Sequence, residues 1–373
     1  MSNIPALVII SALSAKSIIE FLRREGAADV RHAHGSSLLD HLVETYSVLH
    51  RWDQPLQVQC AALIHSVYGT EVYDQQLLPL SRREELAEVA GEEAERLAYL
   101  FSVVPRDPLL AGTYRWTRGL HGGTARDRSE RDAPTRDELD ALVVLHMANL
   151  AAQAQAADGS PGRWLVRLRQ LAELLADSDE LQPPLFIAKL ATFAERDESL
   201  TRQVYLAALG SADDVEARTS RLALAAALCP VVPEPCVWQA YLAGCRGDSS
   251  SRTWWAACAR ERLMELGTAW DKRLAFDEWL ELAEALEQEL PPGTAAGTLA
   301  HPRALLDAAR VGAPTRPRGT TAPHPTAGSE RFQRYVASFV EDAAAPGAIY
   351  PDLPSRPWHD PRGFPLVSYL EQN

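Results

Sequence analysis

The sequence predicts a mostly α-helical protein, and three observations carry that prediction. Apolar residues recur at helical spacing in almost every patterned segment. Alternating β-branched runs of the kind that build strands are absent. Breaks such as "ADGSPG" interrupt the helical pattern and set its segments apart. At 373 residues the chain is too long for one ordinary core, so two or three domains are expected, and 46% apolar residues suffice to fold them. The net charge of −13 argues against nucleic acid and against an anionic membrane surface as partners. No stretch is long and apolar enough to span a bilayer. The five cysteines are scattered, none forms a CxxC pair, and their odd number fits reduced thiols in the cytoplasm.

Residues 1–156 form the first expected domain. The start, "MSNIPALVIISALSAKS", has an apolar run but no positive charge ahead of it, so it reads as a first helix and not as a secretory signal. Ile18, Ile19 and Leu22 continue the helical spacing and Gly26 suits the helix end. "SSLLDHLVETYSVLHR" is a second helix, capped by Ser36 or Ser37, with Leu38, Leu42, Tyr46 and Leu49 on one side and His41 at the edge of that face. "QPLQVQCAALIHS" is a third, with Pro55 in its first turn and His65 at its end. "YGTE" then reads as a turn, with Gly69 at positive φ, Thr70 capping and Glu71 aimed at a pocket. A polar loop containing His121 leads to "TRDELDALVVLHMANLAAQAQ", where Leu142, His146, Asn149 and Gln153 form one stripe.

Residues 162–290 are a run of short Ala/Leu helices, expected to stack as an α-solenoid-like layer, although no fixed repeat period is present. In "GTAWDKRLAFDEWLELA", Trp270, Leu274 and Trp279 are spaced for a packed face, while Asp271, Lys272 and Arg273 read as a solvated cap. Residues 291–328, rich in Pro, Gly, Ala and Thr, read as a flexible linker. Residues 329–373 open with a short amphipathic helix and continue as a Pro-rich extended stretch, a short incomplete α/β segment.

The histidine-bearing helices resemble the HD superfamily of metal-dependent helical enzymes, whose pattern is His, then His-Asp one helix later, then a late Asp. His41 in "DHLVE" takes the first position, His65 in "AALIHS" the second, and Asn149 in "LHMANL" the last. Ser66 and Asn149 thus stand where that family has aspartates. The marks "HGSSLLDHL" and "HSVYGTE" are similar to a branch of the superfamily in which Ser follows the second His. The resemblance implies an HD-like helical bundle with His41, His65, His146 and Asn149 as candidate metal ligands for iron or another divalent ion. His34, Ser66, Tyr68, Glu71 and His121 are further pocket candidates. A hard divalent ion is held by negatively charged oxygens, so this neutral donor set leaves two readings open. The histidines hold a metal, or they are hydrogen-bonded to one another inside a fold without catalysis.

"YPDLPSRPWHDPRGFPLVSYLEQN" resembles the opening of the aspartyl/asparaginyl β-hydroxylase domain, through its Tyr-Pro lead, Pro357-Trp358 and Asp360-Pro361. That family implies iron and 2-oxoglutarate, bound by residues beyond this motif, so 2-oxoglutarate is expected only if a hydroxylase core is supplied from elsewhere. Two functions follow. The chain is the accessory or recognition portion of a hydroxylase-like fusion, binding a peptide or protein. Alternatively it is an HD-like metal-dependent enzyme, an oxygenase or phosphohydrolase, using His41 and His65.

Overall fold

In a computed structural model of the chain, the residues described are 6–32, 36–70, 73, 75–115, 133–155, 160–178, 181–210 and 215–288. The protein is mostly α-helical: among the described residues there is no strand, only the isolated bridges Arg31↔Ser37 and Gln155↔Pro161. No helix among them is long and apolar enough to cross a membrane. The linker at 291–328 and the hydroxylase-like stretch at 329–373 lie outside the described residues. The chain divides into two compact units. Among the described residues, the first contains those up to Thr192 and Leu263–Phe276, the second Phe193–Arg262 and those from Asp277 to Gln288.

The first unit contains α1 (Ala6–Arg24), α2 (Leu38–Arg51), α3 (Leu56–Ile64), α4 (Arg83–Ala90), α5 (Glu92–Val103), α6 (Arg106–Leu110), α7 (Arg136–Gln153) and α8 (Leu165–Ala172). Local chemistry sets several of their starts. Ser37 accepts from the backbone N–H of Asp40, and the Asp40 carboxylate accepts in return from the N–H of Ser37, a reciprocal cap that starts α2. Thr135 and Glu138 do the same for α7. Pro55 is the cap residue of α3.

α3 and α7 are the centre of this unit. Every residue of α3 from Val58 to Ile64 is buried, and α3 packs against α1, α2, α5 and α7. α7 is buried continuously from Asp140 to Ala151. A helix apolar on all sides has to be surrounded by other helices, and the polar residues on these two helices then need partners. Gln59 donates to Gln54 O and contacts His50 Nδ1. Asp140 pairs with Arg136 at 2.9 Å.

The turn after α3 is pinned from outside the helix. The Tyr68 hydroxyl donates to Glu95 at 2.8 Å, and Glu95 also accepts from Arg83 at 2.6 and 2.8 Å. Gly69 has φ +72°, the left-handed conformation that glycine tolerates, and Thr70 Oγ1 accepts from the Tyr73 N–H. Trp164 at 0% exposure and the packing of α8 on α7 carry this unit past the "ADGSPG" break.

Leu263–Phe276 joins the same unit through α2. Trp52 Nε1 donates to Leu266 O at 2.9 Å and Arg51 donates to Gly267 O at 3.1 Å. Asp271, Lys272 and Arg273 are not the solvated cap that their charge suggests. Asp271 is 0% and Arg273 6% exposed, and the two side chains bond each other directly, Arg273 Nε to Asp271 Oδ1 at 2.8 Å. Lys272 lies 3.5 Å from Glu44. Adjacent opposite charges can be buried together because each satisfies the other, and a run of three charges in a sequence does not reveal that pairing.

The second unit contains α9 (Glu195–Gly210), α10 (Val215–Leu228), α11 (Glu234–Cys245), the larger part of α12 (Ser249–Leu266), and α13 (Phe276–Glu287) from Asp277 onward. α9 packs on α10, and α10 on α11. Trp238 and Trp279 are buried edge to face at 6.2 Å, and Trp238 Nε1 donates to the Tyr205 hydroxyl. Arg262 closes the turn after α10 by donating to the carbonyls of Ala226, Cys229 and Val232.

Candidate ligand cavity in the first unit

α2 carries His41 into the interior at 6% exposure, and the end of α3 delivers His65 at 1%. Their Nε2 atoms face each other at 3.3 Å. His65 Nδ1 lies 2.8 Å from Ala62 O. A carbonyl only accepts, so Nδ1 carries the proton and the Nε2 lone pair of His65 points toward His41. His32 stacks flat on His41, with centroids 4.1 Å apart and planes 6° apart. Asn149, from α7, lies within hydrogen-bonding reach of both the His41 and His65 rings.

These groups line one cavity with Ser66, Thr70, Tyr73, Phe101, Arg106 and Gln153. The cavity volume is about 20 Å³, room for about one water-sized group. Two buried polar atoms in this lining have no hydrogen-bond partner, Ser66 Oγ and Gln153 Oε1, on residues 4% and 8% exposed. A buried polar atom left without a partner is costly, and both of these belong to the cavity wall.

The cavity environment favours neutral imidazoles. Burial pushes His65 down to about 4, with the Arg106 guanidinium adding to the effect. Burial also holds His41 well below the usual imidazole range, helped by His32 and His65. His146 is lowered in the same way, by burial first and then by Arg106 and His65.

Of the residues expected in the site, His41, His65, Ser66 and Asn149 come together in this cavity. His146 is one ring removed. It stacks on Phe101 at 4.2 Å, Phe101 meets His65 edge-on at 4.9 Å, and Arg106 Nη2 lies 3.4 Å from His146 Nδ1. Tyr68 points away to Glu95. His34, Glu71 and His121 lie outside the described residues. Sequence reasoning missed His32, Tyr73, Phe101 and Arg106. His32 stands two residues from the His34 that was singled out. Arg106 sits in "VVPRDP", where no local pattern marks it.

The donor set can be tested against a divalent ion. On spacing it fits: two nitrogen ligands roughly 2.0–2.1 Å from one ion stand roughly 3 to 3.4 Å apart. On charge it does not. Ser66, Thr70, Asn149 and Gln153 bring no negative charge, and Arg106 brings a positive one. The positive field that helps keep protons off His65 and His146 opposes a metal cation as well. Among the described residues no group of three or more His, Cys, Asp or Glu is placed to hold a metal.

Comparison with known proteins adds one likeness. Residues 21–106 match a family model described as a domain of unknown function, DUF6817. The matched segment includes His32, His41, His65, Ser66 and Arg106 and stops before α7, which supplies Asn149 and Gln153. No curated protein and no solved structure matches the chain.

Proposed function

We propose that this chain is a recognition protein whose first unit is an HD-like shell that binds a polar group without a metal. The observation that carries this reading is the cavity lining: two unpartnered buried oxygens, Ser66 Oγ and Gln153 Oε1, beside Asn149 and a guanidinium. Such a wall suits a small polar group that brings its own hydrogen bonds. The His41–His65 pair is then a structural hydrogen bond, Nε2–H of His41 to Nε2 of His65, that holds α2 against the end of α3. The wider role, as the accessory portion of a hydroxylase-like fusion presenting a peptide or protein, rests on the resemblance of residues 329–373.

A second reading is favoured by the 3.3 Å separation of the two Nε2 atoms. In it, His41, His65 and Asn149 hold iron or another divalent ion, and the first unit is an HD-like enzyme, an oxygenase or phosphohydrolase. When bound, such an ion would supply Lewis-acid or redox chemistry. With imidazole and amide donors, zinc or iron would be preferred to magnesium or calcium.

Elemental analysis of the purified full-length chain separates the two. The recognition reading expects well under one equivalent of transition metal, and His41→Ala and His65→Ala both lower the melting temperature without changing metal content. One equivalent per chain, lost in both variants, would establish the metal reading and overturn the first.

A further inference from the structure

A second cavity of the first unit shares no lining residue with the histidine cavity and is built from the turn after α2, the segment around Pro184 and the end of α12. We propose that it is a docking groove for a peptide segment of a partner protein, one in which an apolar side chain stands next to a lysine or arginine. The proposal deepens the peptide-presenting role above and rests on it.

The groove has the size and the wall for such an occupant. Its volume is about 750 Å³, and ligand sites generally measure roughly 300–1,000 Å³. Leu56, Pro184, Leu185 and Met264 make much of the wall apolar. Leu185 is 88% and Met264 49% exposed, two of the three large apolar side chains that stand out among the described residues. Exposed apolar side chains gathered in one place mark an interaction surface, whereas scattered ones need no explanation. The walls are also tied to each other before anything binds. Lys189, on the same short helix as Leu185, pairs with Glu265 at 2.5 Å, and Gln54 Nε2 donates to Gln182 O at 3.1 Å. A groove held open in this way spares part of the ordering cost of binding.

Charge and hydrogen bonding select the polar part of the occupant. Among the ionisable lining groups, Glu265 pairs with Lys189, Arg51 lies over the Phe276 ring and bonds Gly267 O, and His50 meets Gln59. Asp53 is exposed, and its carboxylate has no partner among the described residues. A cation therefore complements the groove, and the net charge of −13 draws cationic partners from further away. Gln54 is 6% exposed, and its Nε2 is engaged by Trp52 O and Gln182 O. Carbonyls only accept, so the orientation of this amide is fixed and Oε1 is left as an acceptor without a partner. A peptide brings an N–H for it and carries apolar and basic side chains on adjacent residues.

Methionine-methyl NMR of the full-length chain tests the proposal. The chain has three methionines. Met264→Leu identifies the groove signal, and Met147, 0% exposed in α7, serves as the internal reference. The probe is an acetylated, amidated hexapeptide that alternates leucine and lysine. It is expected to move the Met264 signal in a saturable way and to leave that of Met147 in place. The same peptide with glutamate for lysine should bind at least about fivefold more weakly, and with serine for leucine it should not bind. Leu185→Ser should weaken the lysine peptide about tenfold. Asp53→Asn suits the φ of +53° at this position and should narrow the preference for lysine over glutamate while binding persists. Melting curves of each variant confirm that it is folded. A Met264 signal that the lysine peptide leaves unmoved, equal affinity for the glutamate peptide, or unchanged affinity in a folded Leu185→Ser protein overturns the proposal. A peptide of residues 329–343 that binds more tightly than the lysine peptide assigns the groove to this chain itself, and a dimer that Leu185→Ser dissociates assigns it to a second copy. Either result overturns the partner assignment. None of these outcomes bears on metal content, so failure here leaves the histidine-cavity reading to its own test.

Discussion

His65 concentrates the chemistry of the first unit in one side chain. It donates from Nδ1 to Ala62 O, presents Nε2 to His41 and meets the edge of Phe101. Its folded pKa of about 4 lies below the ordinary 6.5, so an unfolded chain takes up a proton there that the folded chain refuses. Stability from this residue is therefore intact above pH 6.5 and is lost as pH falls from 6.5 towards 4, on the order of 2 kcal/mol at pH 5. His41 and His146 are shifted in the same direction and add to the loss. The carboxylates of Glu25 and Glu85 are also lowered, but from 4.5, so they act below that pH. The melting temperature should fall between pH 7 and pH 5, and less steeply in His65→Asn. An unchanged melting temperature over that interval would show that the imidazoles charge freely. At this scale the sequence was partly legible. His41, His65 and Asn149 were grouped through the HD-like resemblance, and all three line one cavity. Arg106 could not be grouped with them, because it reaches the cavity only through the turn after α5 and belongs to no periodic face.

Among the helices, α2 and α7 show how a few residues place the site. Both begin with a reciprocal cap, Ser37 with Asp40 and Thr135 with Glu138. Glu138 does further duty by accepting from Arg96 of α5 at 3.0 Å. Loss of a capping hydroxyl costs about 1 kcal/mol. Ser37→Ala and Thr135→Ala should each lower chemical-denaturation stability by that amount, and Glu138→Ala by more, because Arg96 loses its carboxylate contact as well. Equal effects of Thr135→Ala and Glu138→Ala would show that the Arg96 pair contributes nothing. The starts of α2 and α3 were readable from the Ser36-Ser37 pair and Pro55, because capping is a local matter; the same logic applies to Thr135 at α7, which the sequence reading did not single out. The interior position of Asp271 and Arg273 was not, because it depends on the two charges meeting each other in a buried turn and not on either residue alone.

For the whole chain, the mostly helical character was legible from spacing alone, since 3.6-residue periodicity needs no knowledge of partners. The allocation of residues to units was less so. The end of α12 and the short stretch after it belong with α2, and the hydrogen bonds that bring them there, from Trp52 and Arg51 to the carbonyls of Leu266 and Gly267, leave no trace in composition. Gly267 makes the approach possible. It has φ +71°, and a Cβ there would fall 2.8 Å from Trp52 Nε1. Gly267→Ala combines left-handed strain with that collision and should cost at least about 1–2 kcal/mol. Thermal melting checks this, and a cost below half that amount would mean that the Trp52 contact is not tight.

The return of Leu263–Phe276 to the first unit also sets an order of events during synthesis. A ribosome that has made the helices of the His41–His65 cavity has not yet made the carbonyls that receive Trp52 and Arg51. Nascent chains grow by roughly 5–20 residues per second. The hydrogen bond from Trp52 Nε1 to Leu266 O therefore waits until all of Phe193–Arg262 has been threaded out ahead of the closing segment. The last hydrogen bonds of the first unit form only after the ribosome has passed Gly267, and the second unit is completed later still, by the part of α13 from Asp277.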